Sequence, residues 1–178
     1  MRTMPLRVIV VVADIAIVPL TKGYCAIIDA EDEPRIRDWN WSAGTGQNGS
    51  VYAIRGVAGR SLFLHRAILD DSTSDVVDHI NRDTLDCRKS NLRPAAWWQN
   101  IVNQKRSVRN KSGFRGVFKC PNGRFKAQIG RRLQSGGASR TMHIGYFSTA
   151  EAAARAYDKR ATELFGEFAA LNFPGEGI

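Results

Sequence analysis

Cysteine is scarce in this sequence, and no two cysteines stand close enough to act as a pair. Cys25, Cys87 and Cys120 are spread over 178 residues without any C-x-x-C arrangement. This distribution excludes a zinc ribbon and a disulfide framework, and it is typical of a protein in a reducing compartment. We therefore expect no structural zinc and interpret each cysteine as a small packed thiol.

Long apolar runs are also missing. The run from Val8 to Ala13 follows Arg2 and Arg7 and so resembles the start of a signal peptide. Asp14 interrupts it, however, and no small-x-small cleavage pattern follows. We interpret the run as a β-strand and expect no membrane partner, because a membrane span needs about 20 apolar residues.

Acidic residues are absent from one long block of the chain. Between Ile101 and Ala150 there is none, against eleven Lys and Arg residues. The formal net charge of +9 comes entirely from residues 101–178, since residues 1–100 hold twelve basic and twelve acidic residues. A basic second half favours a polyanionic partner, above all nucleic acid. The alternative is a basic surface that only keeps the protein in solution.

The apolar patterning predicts an α+β fold. Hydrophobic residues make up 43% of the chain, which is enough for a packed core. Residues 1–60 are a β-rich accessory region of short alternating segments separated by turn-forming residues. Residues 61–104 add strands and a helix, and residues 105–112 form a basic linker. Residues 113–174 predict a three-stranded antiparallel sheet packed on one helix.

Local signals fix details of this last module. Apolar and polar residues alternate from Arg124 to Ile129, which predicts one strand face toward the helix and one basic face. Ser148 and Glu151 predict a capping box at the start of the helix. Gly166 predicts its end.

Polar residues gather in the segment VVDHINRDTLDCRKSNLRPAAWWQN, residues 76–100. Asp78 and His79 end an apolar strand, a polar loop leads to Asn91, and Pro94 predicts the first turn of a helix that carries Asn100. An imidazole with a pKa near about 6.5 suits a proton acceptor at neutral pH. Carboxylate and carboxamide oxygens suit Mg²⁺. The combination points to phosphodiester hydrolysis, and the alternative is a surface Asp beside a buried His.

The same segment, extended to residue 104, resembles the HNH nuclease motif of phage and intron-borne homing endonucleases. The resemblance implies a ββα-metal core that holds one divalent ion, Mg²⁺ or alternatively Mn²⁺. It implies His79 as the general base, Asp78 and Asn100 as metal ligands, and Asn91 as the residue that holds the loop and orients His79. The zinc knuckles of many HNH proteins are missing here. The segment "LHRAI", which precedes the motif, is usual in the HNH nucleases of phages and introns. Its His65 either contacts a phosphate or is a buried structural histidine.

Residues 113–174 resemble the plant ethylene-response-factor (Apetala-type) DNA-binding domain along nearly their whole length. The landmarks are "RGV", "NGRF", "IGYF" and the closing "LNFP". The resemblance implies that the three-stranded sheet docks in the major groove of DNA. Residues 113–174 are also similar to a domain that is found fused to HNH homing nucleases. The resemblances of the two halves of the chain therefore support each other.

Several residues of the second half are candidate DNA contacts. Arg115 matches a base-reading Arg of the plant family, whereas Phe118 stands where a second such Arg is usual, and Thr141 and His143 replace an Arg and a Trp. Gln128 suits an adenine edge, and the cationic residues suit phosphates. The predicted contacts are Lys105, Arg106, Arg109, Lys111, Arg115, Lys119, Arg124, Lys126, Gln128, Arg140, Thr141 and His143.

The sequence thus predicts a metal-dependent DNA endonuclease of the homing type. With one site per chain, we expect a monomer that nicks double-stranded DNA in the cytoplasm of a bacterium or a phage-infected cell. Two other functions stay open. One is a non-catalytic DNA-binding regulator, and the other is an RNA-binding accessory protein.

Overall fold

The computed structural model of the chain describes residues 5–46, 49–70, 74–103, 111–131 and 140–175. Two compact units divide the chain, Met1–Ala96 and Trp97–Ile178. Small antiparallel sheets and a few helices make up both, so the predicted α+β class is confirmed. Within those ranges, no helix combines the length and hydropathy that a membrane span requires.

The first sheet of the N-terminal unit has the strand order β1-β2-β3 and is antiparallel. Its strands are Val10–Val12 (β1), Ile15–Pro19 (β2) and Cys25–Asp29 (β3). Every second residue of β2 and β3 is buried, so one face of the sheet packs into the core. The strand predicted for the N-terminal apolar run is therefore confirmed, in the part that forms β1.

A second antiparallel sheet, of order β4-β5-β6, follows a short helix. The helix is Glu33–Ile36 (α1), and the strands are Ser42–Thr45 (β4), Val51–Val57 (β5) and Arg60–Phe63 (β6). Helix Leu64–Leu69 (α2) continues directly from β6. One hydrophobic cluster joins this sheet to the first one, and its largest members are Trp41, Ile28, Ile36, Leu64 and Ile68.

A two-stranded hairpin ends the N-terminal unit. Val76–His79 (β7) pairs antiparallel with Leu92–Ala95 (β8). Pro94 lies in β8 opposite Val77, so the prediction that Pro94 begins a helix is wrong. Proline is tolerated there because an edge strand can leave one residue without a ladder N–H donor. The helix begins later, as Trp97–Asn103 (α3), and falls in the second unit.

The second unit contains the predicted three-stranded sheet and its helix. Its strands are Val117–Lys119 (β9), Phe125–Arg131 (β10) and Arg140–Phe147 (β11), in the order β11-β10-β9. Helix Ala150–Phe165 (α4) packs its small buried residues against the inner sheet face. Ala127 and Ile129 of β10 are buried there, as the alternation predicts.

Thr149 caps the start of α4. Its hydroxyl accepts a hydrogen bond from the backbone N–H of Ala152 at 3.1 Å. The capping box predicted for Ser148 is therefore wrong by one residue: the chain offers two adjacent hydroxyl residues, and the one next to the first helical residue reaches the N–H group. The predicted stop is confirmed, because Gly166 is the C-cap with a φ of 55°.

Candidate functional site

Asp78 lies inside the β7–β8 hairpin and is paired with an arginine. Its side chain is only 3% exposed, and Arg93 on the opposite strand donates to Oδ2 from Nε at 2.9 Å, with its second nitrogen at 2.8 Å. The two residues are cross-strand partners in the hairpin register. A carboxylate has about four acceptor sites, so this ion pair is compatible with a second, cationic partner.

His79 follows on the other face of β7 and is also buried. Burial is the main cause that lowers its pKa below the ordinary range, and the charges of Asp78, Asp83 and Asp86 act in the opposite direction. The imidazole is therefore neutral at pH 7. A neutral imidazole is the protonation state that a general base needs.

A second histidine lies against His79, and the sequence did not reveal this pairing. The His65 ring, on α2, meets the His79 ring edge-on with 5.0 Å between centroids. Phe63 stacks on His65, and Tyr52 completes the cluster at 6.0 Å from His65 and 6.4 Å from His79. Burial, with help from the charges of His79 and Arg66, lowers the pKa of His65 to about 3. Of the two interpretations of His65, its burial favours the structural histidine.

Asn91 ties together the loop that follows His79. Its Oδ1 accepts from the backbone N–H of Asn81 at 2.9 Å, and its Nδ2 donates to the carbonyl of Asp86 at 2.8 Å. Its carbonyl accepts from the N–H of Ile80. One buried side chain thus links the residues just after His79 to the middle of the loop, which is the arrangement that a loop-holding role requires.

The same loop is anchored to the first sheet. Ile27 of β3 exchanges backbone hydrogen bonds with Leu85 and Cys87. Arg88 donates hydrogen bonds to both carboxylate oxygens of Asp86, from Nε at 2.8 Å and from Nη2 at 2.7 Å. This hydrogen bonding is the main cause that lowers the pKa of Asp86. The backbone beyond His79 is therefore held from both sides.

The predicted metal donors are divided between the two units. Asp78, with His79 and Asn91, lies in the first, whereas Asn100 lies on α3 in the second. In the described part of the chain no three His, Cys, Asp or Glu side chains cluster as metal ligands. Taken singly, a carboxylate such as Asp78 and a carboxamide such as Asn100 offer the hard oxygen donors that suit Mg²⁺ or Mn²⁺.

The outer face of the second unit's sheet carries a row of aromatic and basic side chains. Lys126 of β10 is the cross-strand partner of Phe118 on β9 and of Tyr146 on β11, so all three project from the same face. Phe118 is 43% exposed and Tyr146 is 50% exposed. The Lys126 ammonium lies 5.7 Å from the Phe118 ring centroid, and the Arg124 guanidinium lies 5.9 Å from that of Tyr146. His143 packs against Tyr146 with 4.8 Å between ring centroids.

A β-bulge brings these last two rings together. Gly145 and His143 pair with consecutive residues of β10, which makes Ile144 the extra residue. Without the bulge, residues three apart on a strand would face opposite sides of the sheet. The bulge places both His143 and Tyr146 on the outer face.

The other predicted DNA contacts take several positions. Gln128 and Thr141 lie on the outer face, whereas Lys119 is paired with Phe125 and belongs to the helix side of the sheet edge. The guanidinium of Arg115 contacts Tyr157, where it acts against the larger effect of burial that raises the tyrosine pKa. Lys111 is exposed. Lys105, Arg106, Arg109 and the side chain of Arg140 lie outside the described residues.

Asp158 and Asn172 hold the second unit together, and the sequence reasoning missed both. The buried Asp158 carboxylate accepts from the N–H of Asn172, from its Nδ2 and from the N–H of Phe173, at 2.8–2.9 Å. Asn172 in turn bonds to the backbone N–H and carbonyl of Arg115. Asp158 thus links helix α4 to the landmark "LNFP", and Asn172 of that landmark bonds to the backbone of "RGV". The distance between these segments in the sequence concealed the contacts.

Gly116 is the third residue that was missed. Its φ is +71°, and an added Cβ would collide with the Tyr157 ring and lie 2.7 Å from the carbonyl of Gln128. Only glycine fits this backbone conformation and this close approach.

No family model matches the chain. The chain does match a curated relative, an uncharacterised HNH endonuclease of Acanthamoeba polyphaga mimivirus. The two are 33% identical over 153 residues, which are 85% of this chain and 76% of the relative. The chain belongs to the HNH endonuclease family.

This HNH-family chain is also similar to plant transcription factors. An ethylene-responsive transcription factor of Arabidopsis thaliana is 38% identical over 111 residues, 61% of this chain and 40% of the plant protein. An AP2/ERF and B3 domain-containing protein of Oryza sativa subsp. japonica is 42% identical over 69 residues, 39% of this chain and 17% of that protein. Both resemblances expected from the sequence, to HNH nucleases and to plant DNA-binding domains, are thus confirmed at the level of family.

Proposed function

We propose that this chain is a divalent-metal-dependent DNA endonuclease, in which the hairpin residues cut and the second unit binds double-stranded DNA. The observation that carries the proposal is a buried, neutral His79 beside a buried carboxylate, in a loop that Asn91 and Ile27 fix. Similarity to an HNH endonuclease across 85% of the chain supports it.

In the proposed reaction His79 takes a proton from a water molecule as that water attacks the phosphorus. The bond between the phosphorus and the 3′ oxygen breaks, which leaves a 5′-phosphate on one end and a 3′ oxygen that takes up a proton from solvent on the other. The pKa of His79 is lowered by burial, so the ring is neutral and ready to accept the proton at neutral pH. Asn91 keeps the backbone after His79 in place and thereby fixes the direction of the imidazole.

Asp78 and Asn100 would hold the metal ion, and Mg²⁺ is the metal that we propose. When bound, such an ion stabilises the charge that develops on the phosphate and on the leaving oxygen. Arg93 neutralises part of the Asp78 charge and fixes its carboxylate. With one such set of residues per chain, a monomer cuts one strand, and nicked DNA is the expected product.

Nicking of supercoiled plasmid tests the proposal. With Mg²⁺ present, we expect the wild-type chain to convert supercoiled plasmid to open circles, and EDTA to stop the reaction. His79→Ala should lower the rate by about 100-fold or more, the usual contribution of a general base. Asp78→Asn should also lower it, whereas Asp75→Asn, which changes an exposed carboxylate just before β7, is the charge-matched control.

Equal nicking by wild type and His79→Ala would exclude His79 as the base. If both proteins bind duplex DNA equally, with or without EDTA, and neither one nicks it, the enzyme function itself is refuted.

The second candidate function is a DNA-binding regulator without catalysis. The similarity to plant transcription factors favours it, although the chain spans 40% and 59% of the length of two such factors of Arabidopsis thaliana. The plasmid assay separates the two functions, because a regulator binds DNA without Mg²⁺-dependent nicking. Preference for structured RNA over duplex DNA at matched salt would instead support RNA binding.

A further inference from the structure

The aromatic row on the outer sheet face is unusual for a surface that binds a polyanion. Phe118 and Tyr146 are about half exposed, and Lys126 stands between them in register. Exposed rings do not attract phosphates. Rings at the centre of a basic face therefore suit a partner whose surface carries anionic groups and, between them, a few apolar groups at fixed positions.

Duplex DNA meets this description. Its phosphates line the groove, and its major groove displays one apolar group, the C5-methyl of thymine. Neighbouring strands lie about 4.8 Å apart, so the row from β9 to β11 is about 10 Å long and fits a groove about 12 Å wide. Sequence charge agrees, since residues 101–150 contain no acidic side chain.

The surroundings of the rings favour a methyl group over a stacked base. Cationic groups approach both rings, Lys126 at Phe118 and Arg124 at Tyr146, and His143 packs on the second ring. The two residues as a whole are 43% and 50% exposed. A methyl group needs only a small apolar area, whereas stacking of an unpaired base needs a whole ring face.

We infer that Phe118 and Tyr146 determine sequence specificity by contacting thymine methyl groups in the major groove, with Lys126 and Arg124 on flanking phosphates. This inference rests on the proposed DNA binding but not on catalysis. It names thymine as the base read at two positions of the recognition site. Gln128 and His143, which lie beside the row, are available for hydrogen bonds to neighbouring base edges.

The test compares thymine with deoxyuridine, which pairs identically and lacks only the methyl group. Duplexes that the full-length chain selects from a random pool, in EDTA to prevent cutting, are resynthesised with deoxyuridine in place of thymidine. Burying one methyl group is worth about fourfold in affinity, so two contacts predict a loss of about 15-fold. Phe118→Ala with Tyr146→Ala should bind both forms equally, and Phe118→Leu, which stays apolar, should keep part of the discrimination.

Two control variants match these changes. Tyr24→Ala removes a ring of similar exposure, 42%, from the first unit, and Lys159→Ala removes an exposed cation from α4 of the second unit. Both should keep the wild-type ratio between thymine and deoxyuridine.

Equal binding of both DNA forms by wild type would overturn the inference while leaving DNA binding intact. Tighter binding of the single-stranded form of the selected pool would overturn it in favour of stacking on unpaired bases. Failure to bind any duplex would refute the proposed DNA binding itself, and this inference with it.

Discussion

Replacing Asp158 with alanine should destabilise the second unit strongly, because one buried carboxylate serves three hydrogen-bond donors. Asp158 is 4% exposed, and the donors are two N–H groups of Asn172 and one of Phe173. A hydrogen bond to a charged group is worth roughly 1.5 kcal/mol or more, so losing all three predicts a cost of about 4.5 kcal/mol or more. Asp158→Asn keeps one acceptor oxygen and should cost less.

Hydrogen exchange followed by mass spectrometry measures this cost in the second unit alone. Peptides from α4 report the free energy of opening, and a urea titration followed by circular dichroism gives the midpoint for the whole chain. Glu163→Ala is the matched control on the same helix. Its carboxylate pairs with Arg160 at 2.6 Å but is 46% exposed, so its loss should cost less than about 0.5 kcal/mol.

Under the proposed DNA binding, Asp158→Ala should also bind duplex DNA more weakly, since Asn172 would no longer be held against the backbone of Arg115. A change in stability below about 1 kcal/mol would refute the reasoning, because it would mean that water replaces all three hydrogen bonds without cost.

Three further predictions concern stability. The pKa of His65 is about 6.5 in the unfolded chain and about 3 in the folded chain, so the unfolded chain binds the extra proton first as the pH falls. The free energy of unfolding is therefore at its full value above pH 6.5 and about 2 kcal/mol lower at pH 5. Urea titrations should show a smaller loss in His65→Phe. Gly116→Ala should cost more than about 2 kcal/mol, whereas Gly123→Ala, with a similar φ of +79° and open space, should cost about 1 kcal/mol by thermal melting. Arg93→Met removes the ion pair of buried Asp78 and should cost about 3 kcal/mol in the first unit, part of which Asp78→Asn in the same chain restores.

Sequence patterning was sufficient where the local signal is regular. The predicted sheet of three strands packed on one helix is present as β9, β10, β11 and α4, because β10 alternates, a hydroxyl residue lies at the start of the helix and a glycine lies at its end. The strand that ends at Asp78 and His79 was also predicted, because it is a short apolar segment before a polar loop.

Contacts between segments that lie far apart in the chain could not be predicted from the sequence. Nothing in the spacing of His65 and His79 indicates that their rings meet, since α2 and β7 are brought together by the core around Leu64 and Val77. Pro94 misled for a related reason: proline suits both the first turn of a helix and an edge strand, and only pairing with β7 selects the strand.

The extra residue in β11 separates the shape of the proposed DNA-binding surface from its chemistry. A strand without Ile144 would return to simple alternation, with His143, Gly145 and Tyr146 in succession, and would still present both rings outward. It would lose the bend and the added twist that a bulged strand has. On the proposed DNA-binding surface, strand length therefore sets the bend and twist of β11, whereas residues 143 and 146 set which side chains the surface presents.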